Sequence, residues 1–205
     1  MDVNYSKLEE LVQARDYEAA AKLCLARLNT TQDMRFWQTQ LGYVYFLGHQ
    51  VDTVHYYESP SIFKALVATD PQDTNAHFWL GYTIEIVFAD NEQARQEHTR
   101  VLALDPQHPY ANLCLAGLVD RQASVTYLRR TLAIQPANFS ALHQLAEILL
   151  LNNNHAEIRN ILEYMVTHHA YVEQNYGIMN EYINGVFVGS IDEDEWRENV
   201  RALVQ

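Results

Sequence analysis

His168 and His169 are the densest pair of metal-capable side chains in this chain, which carries nine histidines and two cysteines among 205 residues. A zinc-type site needs about four ligands converging on one point. Adjacent helix residues diverge by about 100°, so these two imidazoles do not readily share an ion, and only a tertiary approach brings His143 or His155 to them. Surface or partly buried histidines are expected, and no metal. Cys24 and Cys114 stand ninety residues apart, each inside an apolar helical pattern, which reads as two reduced core thiols. Glu85 is an acid within the apolar run YTIEIVF. Catalysis would need nucleophile, base and stabilising groups in one pocket, and no such spacing supports it; Glu85 reads as a carboxylate facing a solvated groove. No Gly-rich phosphate loop, GxSxG, HExxH or CxxC occurs. No catalytic residue and no cofactor is expected.

The balance of charge narrows the partners. The net charge is −12, with 14 Lys and Arg spread along the chain. Nucleic acid needs a concentrated basic surface, so neither nucleic acid nor an anionic membrane is an expected partner. The start MDVNYSKLEELV lacks the basic and apolar regions of a secretory signal, and no apolar run is long enough for a spanning helix. A cytoplasmic location is expected. With 48% hydrophobic residues, the chain should fold.

The elements that position these residues recur. Three of the five prolines close similar phrases: LVATDP at Pro71, LALDP at Pro106 and LAIQP at Pro136, separated by 35 and 30 residues. Proline cannot continue a helix and restrains the residue before it, so each phrase reads as a helix with a sharp stop. Ala94, Val101, Leu102 and Leu104 share one broad face of such a helix. Twelve residues before each proline stands a small residue: Ser59, Ala94 and Ser124. Small side chains recurring at one place predict close helix crossings. A second helix precedes each, marked by Leu41-Gly42-Tyr43, Leu80-Gly81-Tyr82, Leu115-Ala116-Gly117 and Leu145-Ala146-Glu147.

Two helices per period of about 34 residues resemble the tetratricopeptide repeat. The resemblance is carried by Trp37, Leu41, Gly42 and Tyr45; by Trp79, Leu80, Gly81 and Ala94; and by the Asp-Pro or Gln-Pro endings. It extends to residues 14–28, where Asp16-Tyr17-Glu18 opens a second helix with Ala20 in the small slot, and to 139–166, with LNNNH as a turn before Ile158, Ile161, Leu162 and Met165. It implies an all-α, right-handed superhelical array of about five helix-turn-helix units over residues 1–170.

Three departures stand out. The second unit carries extra residues, VDTVHYYESP; Ser59 is expected to cap a helix beginning at Pro60, the extra residues lengthening the preceding helix or protruding as a turn. The fourth unit is about four residues short, leaving Val119-Asp120-Arg121-Gln122 as its turn. Residues 171–205 do not repeat. Val172, Tyr176, Met179, Ile183 and Val186 form a narrow apolar seam, Gly185 and Gly189 end it, and Ser190 with Glu193 fits a capping box. Trp196, Val200 and Leu203 share a face of a last helix. This pair reads as the C-terminal cap of the same domain, or as an arm that docks on another subunit.

The resemblance also implies that first helices line a concave face. The groove residues are then Thr39, Tyr43, Phe46 and Leu47; Phe78, Tyr82, Glu85 and Ile86; Leu113, Gly117 and Asp120; and His143, Glu147 and Leu150. Trp37, Phe63 and Trp79 are assigned to the core. No Lys, Arg and Asn cluster for a peptide C-terminus appears, because Phe78 and Tyr82 occupy the places where one would begin. An aromatic, then acidic, groove suits a peptide or helix of another protein with apolar anchors, complemented by a basic residue near Glu85, Asp120 or Glu147. The reading is a non-catalytic adaptor or chaperone-like interaction module. The alternatives are a self-associating scaffold acting through the C-terminal helices, giving a homo-oligomer, and, less favoured, an enzyme or accessory subunit. Trp196 could also plug the groove from within.

Overall fold

The fold was obtained as a computed structural model, which describes residues 3–30, 33–50, 53–136, 138–152, 157, 160 and 161. The expected cap over 171–205, His155, and the His168-His169 pair lie outside the described residues. Among the described residues there are nine α-helices and no strand. They are α1 (Val3–Gln13), α2 (Tyr17–Leu28), α3 (Met34–Leu47), α4 (Thr53–Thr69), α5 (Thr74–Phe88), α6 (Asn91–Leu104), α7 (Pro109–Gly117), α8 (Arg121–Ile134) and α9 (Phe139–Leu151). None is long and apolar enough to cross a membrane. The chain divides into two compact units, Met1–Pro106 and Gln107–Gln205.

Aspartate starts most of these helices. Asp16, Asp33, Asp73, Asp90 and Asp120 each accept a hydrogen bond from a backbone N–H two or three residues on. A carboxylate there satisfies an orphan donor and meets the positive end of the helix dipole. Part of the chain's acidity is thus capping. At α7 a histidine does the same work: His108 Nδ1 accepts from Ala111 N–H at 3.1 Å, with Pro109 as the first helical residue.

In the first unit each helix packs on the next, from α1 to α6. Leu8, Ala20, Cys24, Trp37, Leu41, Val44 and Tyr45 bury one cluster across α1, α2 and α3. The small slots do what their recurrence predicts. Ala20, Ser59 and Ala94 are fully buried, and the facing glycines leave no room for a side chain. A Cβ on Gly42 would lie 2.9 Å from two ring carbons of Phe63, and one on Gly81 would lie 3.0 Å from Glu97 Cβ. Side chains of the neighbouring helix packed directly onto the glycine are therefore the reason for Gly at these two positions.

The insertion departs from expectation. Pro60 is interior to α4, which begins at Thr53, and α3 ends in a short 3-10 turn, Gly48–Gln50. The extra residues therefore lengthen the following helix at its front. Ser59 caps nothing; its buried hydroxyl donates to Gly42 O at 2.8 Å. Packing against α3 thus requires the helix to be running already at Ser59. The missing N–H of Pro60 costs one bond of the ladder.

In the second unit α7 packs on α8 and α8 on α9. Leu113, Ala116, Leu128, Ala141, Leu142, Leu145, Leu149 and Ile161 form its core, and Ser124 fills the small slot. The turn between α7 and α8 is residues 118–120, with Arg121 and Gln122 already helical.

Candidate functional site

The first turns of α3 and α5 lie side by side in the first unit and frame a shallow, open depression of about 420 Å³. Asp33, Arg35, Phe36, Thr39, Gln40, Asp73 and Asn75 line it. Each arrives there by helix register. Phe36 and Asn75 stand five residues before Leu41 and Leu80 of their helices, so they are repeat equivalents. Phe36 is held by rings on both sides: Tyr5 at 5.7 Å and Trp37 edge-on at 5.3 Å. Its half-buried ring is one wall.

Arg35 also lines the depression and is tied down. Its Nε donates to Asp73 Oδ2 at 2.8 Å, its Nη2 reaches the same oxygen, and Asp70 lies 3.9 Å away. Asp73 is doubly committed, since Oδ1 accepts from Ala76 N–H as the cap of α5. Burial works against its charged form. The Ala76 N–H, the Arg35 guanidinium and the Asn75 N–H outweigh burial and hold Asp73 below the usual carboxylate range. A depressed folded-state pKa gives a contribution present above the unfolded value, about 3.9, and lost as pH falls through the folded value. We therefore expect wild type and Asp73→Asn, which keeps the cap, to differ in thermal midpoint at pH 6 and to converge as pH drops below about 4. A constant difference down to pH 2 contradicts the pairing.

The remaining lining groups offer amide and hydroxyl chemistry. Asn75 is exposed and Gln40 half-buried, while Thr39 donates its hydroxyl to Arg35 O at 3.0 Å. No His or Cys lines the depression. Cys24, on α2, is buried, and burial pushes its pKa up to about 12, so it is no thiolate at neutral pH.

The other sequence-predicted groove residues scatter. Thr39 lines the depression; Leu47 and Ile86 are half-buried. Tyr43, Phe46, Phe78 and Tyr82 are buried, Tyr82 completely. They satisfy one another: Phe46 meets Tyr82 edge-on at 5.5 Å, Phe78 stacks on Tyr82 at 6.0 Å, and Tyr43 meets Trp79 at 5.0 Å. Trp37 and Phe63 are core as expected, and Trp79 is half-buried. Glu85 turns toward α6, its Oε2 3.8 Å from Nε2 of the fully buried His98. In the second unit Leu113 belongs to the core, Gly117 is exposed, and the carboxylate of Asp120 caps α8. His143 and the exposed Glu147 approach to 4.0 Å on α9. The side chain of Leu150 lies outside the described set.

The sequence reading missed Arg35, Phe36, Gln40, Asp73 and Asn75. A signal existed: Asp33 and Asp73 stand eight and seven residues before the Leu41 and Leu80 of the two Leu-Gly-Tyr phrases, which marks each as the N-cap of its helix.

No protein-family profile matches the chain, and no curated protein sequence does. Solved structures are similar. A thermophilic TPR protein of Thermus thermophilus superposes with a TM-score of 0.61 at 16% identity, over 85% of this chain and 97% of that one. A tetratricopeptide repeat protein from Parabacteroides merdae gives 0.61 at 14%, over 98% and 89%. MamA from Desulfovibrio magneticus gives 0.61 at 12%, over 86% and 96%. At these identities the likeness is one of fold, and it agrees with the repeat phrases: the chain has the all-α tetratricopeptide-repeat fold.

Proposed function

We propose that this repeat fold serves as a non-catalytic, adaptor or chaperone-like module that binds a segment of another polypeptide on the α3–α5 face. The observation that carries this reading is the composition of the depression: one aromatic wall, one immobilised guanidinium, and the amides of Gln40 and Asn75. An apolar anchor packs on Phe36 while amides bond the peptide backbone, the combination that small binding sites use for orientation. Arg35 is already neutralised by Asp73, so it does not demand an anion. Thr39's hydroxyl is spent on Arg35 O, and the carboxylates beside it are engaged as well, Asp33 as the cap of α3 and Asp73 with Ala76 N–H and Arg35, which speaks against an activated nucleophile.

The experiment is capture from native lysate with wild type beside Thr39→Lys, read by mass spectrometry. Lysine at 39 fills the depression while its ammonium reaches water, so the helix need not unfold; circular dichroism checks this. Capture by wild type should fall at least tenfold in the variant. Equal capture by both defeats the proposal.

A further inference from the structure

The front of α4 and the end of α5 carry an aromatic pair that the α3–α5 face does not use. Tyr57 is 56% exposed and Phe88 54%, and their rings stack at 6.3 Å with an interplanar angle of 24°. The pair is anchored from inside: Tyr57 meets Tyr56 at 5.5 Å, and Tyr56 stacks on buried Phe46 at 5.8 Å. It is thus a fixed platform, to which the residues that interrupt the regular repeat contribute Tyr57 and the end of α5 contributes Phe88.

The charged residues nearest to the pair in sequence are acidic. Exposed Glu58 follows Tyr57, and exposed Asp90 stands two residues after Phe88. Across residues 35–95 the chain carries seven acids (Asp52, Glu58, Asp70, Asp73, Glu85, Asp90 and Glu92) against three bases, of which Arg35 is paired with Asp73 and Arg95 with Glu92. Ring faces carry negative potential and attract cations. Arginine suits them best, because its planar, weakly hydrated guanidinium stacks on a ring while bonding a carboxylate.

We infer that Tyr57 and Phe88, flanked by Glu58 and Asp90, form a docking surface for an arginine-bearing segment of another polypeptide. A second copy of this chain is a poor occupant, since it brings a net charge of −12 against −12. This surface is separate from the α3–α5 face and does not rest on that reading.

A displayed library of random 12-residue peptides, panned on wild type and on Tyr57→Ser/Phe88→Ser, tests it. Both residues are exposed, so the variant should fold, which circular dichroism confirms. Wild type is expected to select peptides enriched in arginine beside an aliphatic residue, and the variant to lose them. The strongest peptide, synthesised and followed by fluorescence anisotropy, should weaken at least tenfold on Tyr57→Ser/Phe88→Ser. On Glu58→Gln/Asp90→Asn it should weaken about threefold, Asn capping α6 as well as Asp does. Thr39→Lys should leave it unchanged. No selection, selection without arginine, or a peptide lost with Thr39→Lys and kept by Tyr57→Ser/Phe88→Ser overturns the inference. So does light scattering that shows a wild-type dimer dissociated by Tyr57→Ser/Phe88→Ser, which would make the occupant a second copy.

Discussion

Phe63→Ala is expected to cost about 3–5 kcal/mol, the range for emptying a large buried aromatic site. The ring has no exposed surface. It stacks on Trp79 at 6.0 Å and 20° and covers Gly42, so it joins α3, α4 and α5 at one point. Truncation leaves a void bounded by three helices that are each fixed elsewhere, which limits collapse. Urea denaturation followed by circular dichroism and by tryptophan fluorescence measures the loss. Trp37 and Trp79 report on the first unit, where the effect belongs. A loss below about 1 kcal/mol would contradict the assignment, because that is the scale of a well-tolerated core change.

Gly42→Val probes the same contact from the other side. A Cβ alone would stand 2.9 Å from Phe63 Cε2 and Cζ and 3.3 Å from Ile62 Cγ2. Valine adds two methyl groups to that collision, and Phe63 has no solvent-facing direction in which to move. The gain in helix propensity over Gly, about half a kcal/mol, is outweighed by overpacking of about 2–3 kcal/mol. Gly42→Val in a Phe63→Leu background should recover at least about 1 kcal/mol relative to additivity, since the residues touch. Strict additivity would mean that Gly42 and Phe63 do not share the space the structure gives them.

These contacts explain how much was legible. The small residues at 20, 59, 94 and 124 and the glycines at 42 and 81 announced helix crossings from their spacing, because a close approach admits few residue types. Register, hairpin order and the Asp-Pro stops followed. Ser59-Pro60 misled for a physical reason. As a dipeptide it is a good helix start, yet the same serine is the small-slot residue, and burial against the Gly42 carbonyl overrides the local cap signal.

The groove was harder to read. Aromatic residues at 43, 46, 78 and 82 fit an exposed binding stripe and a self-filled stack equally well, and residue type cannot separate them. What decides is the mutual contact of Phe46, Phe78 and Tyr82, which depends on the front of α4 and on exact ring placement. Polar residues such as Gln40 and Asn75 are common on helix surfaces, so nothing in their type marks a site until α3 and α5 are placed side by side. The Tyr57–Phe88 pair is obscured similarly, since the sequence pattern assigns the insertion to the preceding helix or to a turn.

Partner binding on the proposed α3–α5 face is tested most directly by chemical-shift mapping. A captured partner segment, synthesised, would be titrated into the isotope-labelled full chain while the side-chain amides of Gln40 and Asn75 are followed. Binding on that face should give saturable shifts of both, with neighbouring shifts at Phe36 and Thr39, all abolished by Thr39→Lys. Saturable shifts elsewhere, with Gln40 and Asn75 unmoved, would contradict it.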